Sequence, residues 1–108
     1  YGDGSQARDF VFVEDLCDGI VRAIMSEVVG VIQLGSGRPV TVAALIGEIR
    51  RAVAPRPIEV RHEPPRAGEV HTTFCDIAKA RRELQFDPAT PLAEGLARTW
   101  HWFLSRNG

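Results

Sequence analysis

Residues 2–16 read GDGSQARDFVFVEDL, and the fold turns on how this stretch is parsed. Gly2, Asp3, Gly4 and Ser5 are turn formers. Phe10 to Val13 set aromatic and β-branched side chains in succession, which predicts a short strand. From Glu14 to about Met25 the apolar residues Val13, Leu16, Cys17, Ile20, Val21 and Ile24 recur three and four positions apart. That spacing predicts an amphipathic helix with this face inward and Cys17 as a small core residue. The parse leaves Arg8 at the mouth of the strand. A guanidinium offers a rigid fork of N–H donors that matches phosphate oxygens, so Arg8 is a candidate anion ligand.

Working outward, Val28 to Leu34 is an apolar run rich in β-branched residues, closed by Gly35-Ser36-Gly37. Thr41 is placed to cap a second helix, with Val42, Leu45, Ile46, Ile49 and Val53 inward, and Pro55 and Pro57 stop it. Ile58 to His62 alternates and reads as a strand. Residues 31–62 are thereby expected to form a strand–helix–strand unit with parallel pairing. Asp76 is placed to cap a short helix through Leu84, with Ile77, Ala80 and Leu84 inward. Pro91 opens the last helix at its first turn, and Leu92, Leu96, Trp100 and Phe103 line its inner side. Trp102 lies two positions from Trp100 and must face elsewhere. The expected fold is a small mixed α/β domain of about four helices, filling residues 1–108 as one unit.

The bulk properties narrow the function. The chain of 108 residues has a formal net charge of -1, with 44% hydrophobic and 25% charged residues. This is the composition of an ordinary soluble domain, and it offers no electrostatic reason to expect nucleic acid or a membrane surface as partner. Two cysteines are too few for a secreted disulfide scaffold, so reduced thiols in the cytoplasm are expected. Neither cysteine has a CxxC partner, and His62, His71 and His101 show no metal-ligand spacing. Beginning at Tyr1 inside a turn, the chain reads as the tail of a longer protein.

A second arginine, Arg66, stands in the loop Glu63-Pro64-Pro65-Arg66-Ala67-Gly68-Glu69. The prolines stiffen the loop and Gly68 permits a bend. Two arginines on stiff loops suit a diphosphate. The bland alternative for Arg8 is an ion pair with Asp9, Asp3 or Glu14, each worth only about 0–1 kcal/mol when exposed. For Arg66 it is a solvated loop residue. The Gly35-Ser36-Gly37 turn invites a dinucleotide reading, but the third glycine of that motif falls on Val40, so a structural turn is the better reading.

Four ordered strings, GDGSQARDFVFVEDLCDGI, VIQLGSGRPVTVAALIGEI, PPRAGEV and DIAKARRELQFDPATPLAEGLARTWHWF, resemble the C-terminal part of extended short-chain dehydrogenase/reductases. These are the NAD-dependent epimerase/dehydratase family, with UDP-glucose 4-epimerases the nearest in flavour, and the resemblance spans the whole chain. It implies a substrate-binding domain that holds a nucleotide sugar, partnered by an N-terminal Rossmann domain that binds NAD. Carried over by position, Arg8 and Arg66 match arginines on the substrate diphosphate. Glu69 stands where the family usually has an aspartate that accepts from ribose, and Tyr1 stands where an aromatic packs near uracil. The family's Tyr-x-x-x-Lys pair is absent, since the only tyrosine is Tyr1 and Ser5 follows it by four. The resemblance therefore implies no catalytic residue and no cofactor or metal site in this chain, and leaves epimerase, dehydratase and reductase open for the parent. An inert folded fragment or interaction module without ligand affinity is the alternative. An exposed interdomain face would favour self-association.

Overall fold

In the computed structural model, residues 2–107 are described. Strand β1 (Ala7–Asp9) is followed by helix α1 (Val13–Ile24), strand β2 (Pro39–Thr41), helix α2 (Val42–Val53), helix α3 (Ala78–Leu84) and helix α4 (Leu92–Asn107). The mixed α/β architecture with four helices stands as expected. Its sheet is built differently.

The first strand lies earlier than Phe10–Val13, and Val13 already belongs to α1. β1 pairs with β2 antiparallel, Arg8 opposite Val40. Pro39 has no N–H to donate and sits at the end of the ladder. On its other side β1 carries a parallel bridge from Ala7 to Thr72, with Ala7 N–H donating to His71 O at 2.8 Å and Thr73 N–H to Ala7 O at 3.0 Å. The expected parallel unit over residues 31–62 is thus replaced. Val28–Leu34 and Ile58–His62 are in no ladder among the described residues. An apolar, alternating segment becomes a strand only beside a partner, and neither run has one here. Val31 O is instead met by Lys79 Nζ at 3.0 Å.

The core gathers round α3. Ile77, Ala80, Leu84 and Phe86 are buried, with Val28, Ile32, Leu34 and Cys75 packed against them. Gln85 closes α3 with φ 55, a left-handed turn that drops Phe86 into the centre, where it is 1% exposed. The Asp76 carboxylate accepts from Ala78 N–H at 3.0 Å at the start of the helix. α2, capped by Thr41 on Ala44 N–H at 3.1 Å, packs against α4. On α4, Trp100 is half-buried and stacks on Phe103 with centroids 5.5 Å apart, while Trp102 is 60% exposed beneath Arg106.

α1 is where the inward-face expectation fails. Val13, Ile20, Val21 and Ile24 are exposed, Ile24 by 75%, and Cys17 is exposed too rather than in the core. The helix meets the core through Gly19, a buried position whose added Cβ would lie 2.8 Å from the Phe86 ring. The amphipathic stripe is real but has no neighbour among the described residues to cover it.

Gly19→Ala should therefore destabilise the fold by about 1–3 kcal/mol through overpacking. Phe86→Ala should cost about 3–5 kcal/mol by leaving a cavity. Urea unfolding followed by circular dichroism measures both, and a Gly19→Ala midpoint at or above that of the unmodified chain would contradict the close helix–ring approach.

Candidate functional site

Successive side chains on a strand point to opposite faces, and on β1 this separates two neighbours with opposite charge. Asp9 turns to one face. Its Oδ1 accepts from Ser36 N–H and Ser36 Oγ–H, both at 2.8 Å, and its Oδ2 from Gly37 N–H at 3.0 Å and Cys75 N–H at 3.1 Å. Burial by itself would raise its pKa. The donors from Ser36, Cys75 and Gly37 outweigh that, and the carboxyl is held below its ordinary value. Gly35 lets the turn come this close, since a Cβ there would sit 2.8 Å from Cys75 Sγ and 3.0 Å from Asp9 Oδ2. Gly37 holds φ 74.

This arrangement also decides what the Gly35–Gly37 turn can hold. A phosphate cradle needs free backbone N–H groups. Those of Ser36 and Gly37 already donate to Asp9, so this turn does not fit a dinucleotide.

Arg8 turns to the other face. Its Nη1 donates to Ala7 O at 2.8 Å and His71 O at 3.2 Å, and its Nη2 lies 3.5 Å from Glu69 Oε1. The pair is partly solvated, with side chains 31% and 30% exposed. Arg8 thus pairs with none of Asp9, Asp3 or Glu14. Glu14 meets Arg98 instead, and Arg98 also lies over the Phe12 ring at 4.7 Å.

Glu69 opens onto the largest cleft described, about 910 Å³, between the turn at residues 2–6 and the loop at 62–71. Arg66 and Glu69 both line it. They are the ends of a turn in which Glu69 N–H donates to Arg66 O at 3.3 Å and Gly68 takes φ 77, the conformation that the third position of a type II turn demands. Arg8 is not in the lining, and it meets this wall through Glu69. Tyr1, the fourth expected site residue, lies outside the described residues.

Among the lining residues that were not foreseen are Asp3, Ser5, His62 and His71. Ser5 Oγ donates to Asp3 Oδ1 at 2.6 Å, and His71 Nε2 lies 3.2 Å from the same Oγ. The Asp3 carboxyl is held below its ordinary value by the Ser5 hydroxyl first, then by the Ser5 amide. His62 Nδ1 lies 2.9 Å from Gly2 O, and Gly2 N–H donates to Glu63 O at 2.7 Å. One signal was available: Glu69 and His71 are two apart in extended chain and share a face. Among the described residues no group of three or more His, Cys, Asp or Glu could hold a metal ion, and no helix is long and apolar enough to cross a membrane.

A strand-borne arginine, the Glu69 carboxylate it meets and a proline-stiffened loop arginine thus lie in and beside one cleft of a small mixed α/β domain. Residues 1–99 match the family model of GDP-mannose 4,6 dehydratase, and the chain belongs to that family of extended short-chain dehydrogenase/reductases. It is 36% identical over 108 residues to UDP-glucose 4-epimerase of Mycolicibacterium smegmatis, covering 99% of this chain and 34% of the relative. The crystal structure of UDP-glucose 4-epimerase from Thermotoga maritima with UDP-glucose superposes with a TM-score of 0.88 at 30% identity, over 100% of this chain and 35% of that one. That of UDP-glucose 4-epimerase from Bifidobacterium longum in complex with NAD+ and UDP gives 0.85 at 29%, over 99% and 32%. The chain spans about a third of the length of the proteins it matches.

Asp9 gives the site a pH limit. Because its folded pKa is lowered, its stabilisation is fully present above the ordinary carboxylate value of 3.8 and is lost as pH falls through the folded value. Asp9→Asn puts an amide in place of a carboxylate that receives several N–H groups, at a cost of roughly 1.5–3 kcal/mol near neutral pH. Urea midpoints between pH 7 and pH 3 should converge for the two proteins at the acid end, and a constant gap would contradict the assignment.

Proposed function

We propose that this chain binds the nucleotide diphosphate end of a UDP-sugar, as the substrate-holding part of an NAD-dependent sugar epimerase. The observation that carries the reading is the link from Arg8 through Glu69 to the cleft that Arg66 lines. Arg8 has its guanidinium anchored on two carbonyls, so little of its freedom remains to be lost when phosphate arrives. Arg66 lines the same cleft from the loop that carries Glu69. Glu69 is placed to accept from ribose hydroxyls while it steadies Arg8, and Tyr1 is the proposed neighbour of the uracil.

The role of such a domain is positional. Gripping the diphosphate spends remote binding energy on aiming the sugar. In the whole protein NAD supplies the hydride acceptor, held by a Rossmann domain outside these residues. The exposed stripe of α1 and the outward valines of the 28–31 segment, Val29 at 86% and Val31 at 82% exposure, are apolar surfaces that such a domain would cover.

Titrating UDP-glucose into the chain tests the reading. Binding at millimolar concentration or tighter is expected, and Arg8→Ala or Arg66→Ala should weaken it about tenfold to a hundredfold, the worth of one charge-assisted hydrogen bond. No binding by the unmodified chain would leave the inert module in its place, and unchanged affinity in both variants would overturn the arginine clamp. Sedimentation velocity at rising concentration should show the separate chain self-associating through its uncovered apolar faces, and a strict monomer would contradict that use of α1.

A further inference from the structure

The arginines do not by themselves make the cleft attractive to an anion. In and around it Arg8, Arg61 and Arg66 stand against Asp3, Glu63 and Glu69, with Arg8 paired to Glu69 and Arg61 within 3.8 Å of Glu63. The formal charges cancel. The two remaining titratable groups in the lining are His62 and His71, and each reaches across from the 62–71 loop to the N-terminal turn.

Hydrogen-bond logic assigns the ring protons. Gly2 O can only accept, so His62 Nδ1 carries a hydrogen. The single hydroxyl proton of Ser5 goes to Asp3 Oδ1, so its Oγ accepts from His71 and His71 Nε2 carries a hydrogen. In both rings the nitrogen that spans the cleft is already the donor. A second proton then enters at His62 Nε2 or at His71 Nδ1. The latter lies 3.0 Å from Thr72 Oγ1, a hydroxyl that rotates from donor to acceptor. Either histidine gains a charge without losing its bond across the cleft.

We propose that His62 and His71 are anion-binding residues of this cleft, taking up protons when a nucleoside diphosphate enters and so tipping a neutral site to positive. The inference rests on the nucleotide-sugar reading above and adds to it which groups set the charge. The facing groups are those already named: Asp3 on the turn, and Glu63, Arg66 and Glu69 on the loop, with Arg61 and Arg8 behind the carboxylates they pair.

Calorimetric titration with UDP-glucose in buffers of different ionisation enthalpy at one pH counts the protons exchanged. This probe is suited to the purpose because each of its phosphates carries one ester and the shared anhydride, and so keeps a single charge across this pH range. Net proton uptake is expected. Affinity should rise as pH falls from 8 to 6, by at most about tenfold per pH unit for each proton taken up. His62→Gln and His71→Gln retain an N–H donor; each should reduce the uptake, and the double substitution should abolish it. Binding whose heat is independent of buffer overturns this proposal and leaves the nucleotide reading standing. Uptake unchanged in the double variant does the same, whereas no binding at any pH overturns both. The buffer series on the unmodified chain decides the question even if the variants do not fold.

Discussion

One carboxylate organises this molecule. Asp9 gathers hydrogen bonds from Ser36, Gly37 and Cys75, so three distant stretches of chain meet on a single side chain. A carboxylate shared among several donors gains roughly twice the strength of neutral bonds from each. Because β1 alternates, fixing Asp9 on one face also fixes Arg8 on the other. Arg8 thus inherits its placement from a neighbour that does not line the cleft.

The same alternation explains which parts of the site were legible in the sequence. Arg8, Arg66 and Glu69 stood out as candidates because each sits in a short motif. What each touches could not be found, since adjacent residues on a strand diverge and Arg8 turned away from the carboxylates nearest to it in sequence. His62 and His71 looked scattered because their partners, Gly2 and Ser5, lie at the far end of the chain. The Ala7–Thr72 bridge and the Gly2–Glu63 hydrogen bond bring those ends together.

Helices were read more faithfully than strands for a physical reason. α2, α3 and α4 close their hydrogen bonds internally, so pattern and caps suffice to place them within a residue or two. A strand is completed by its neighbour, and the apolar runs at 28–34 and 58–62 have none here. Helical pattern also fails to say whether the apolar face is covered. In α1 the stripe is as regular as in α2, yet Gly19 is the one residue of the helix that is buried. Phe86 escaped notice because it follows the helix, and the left-handed Gln85 that swings it inward carries no glycine to mark the turn.

Lys79 is the only lysine in the chain, and its ammonium rests on the carbonyl of Val31 at the uncovered margin of the 28–34 segment. A reporter dye coupled to that side-chain amine would sit on this margin, away from the residues that line the cleft. Its emission would register whatever comes to lie along the segment while leaving the cleft's own side chains untouched.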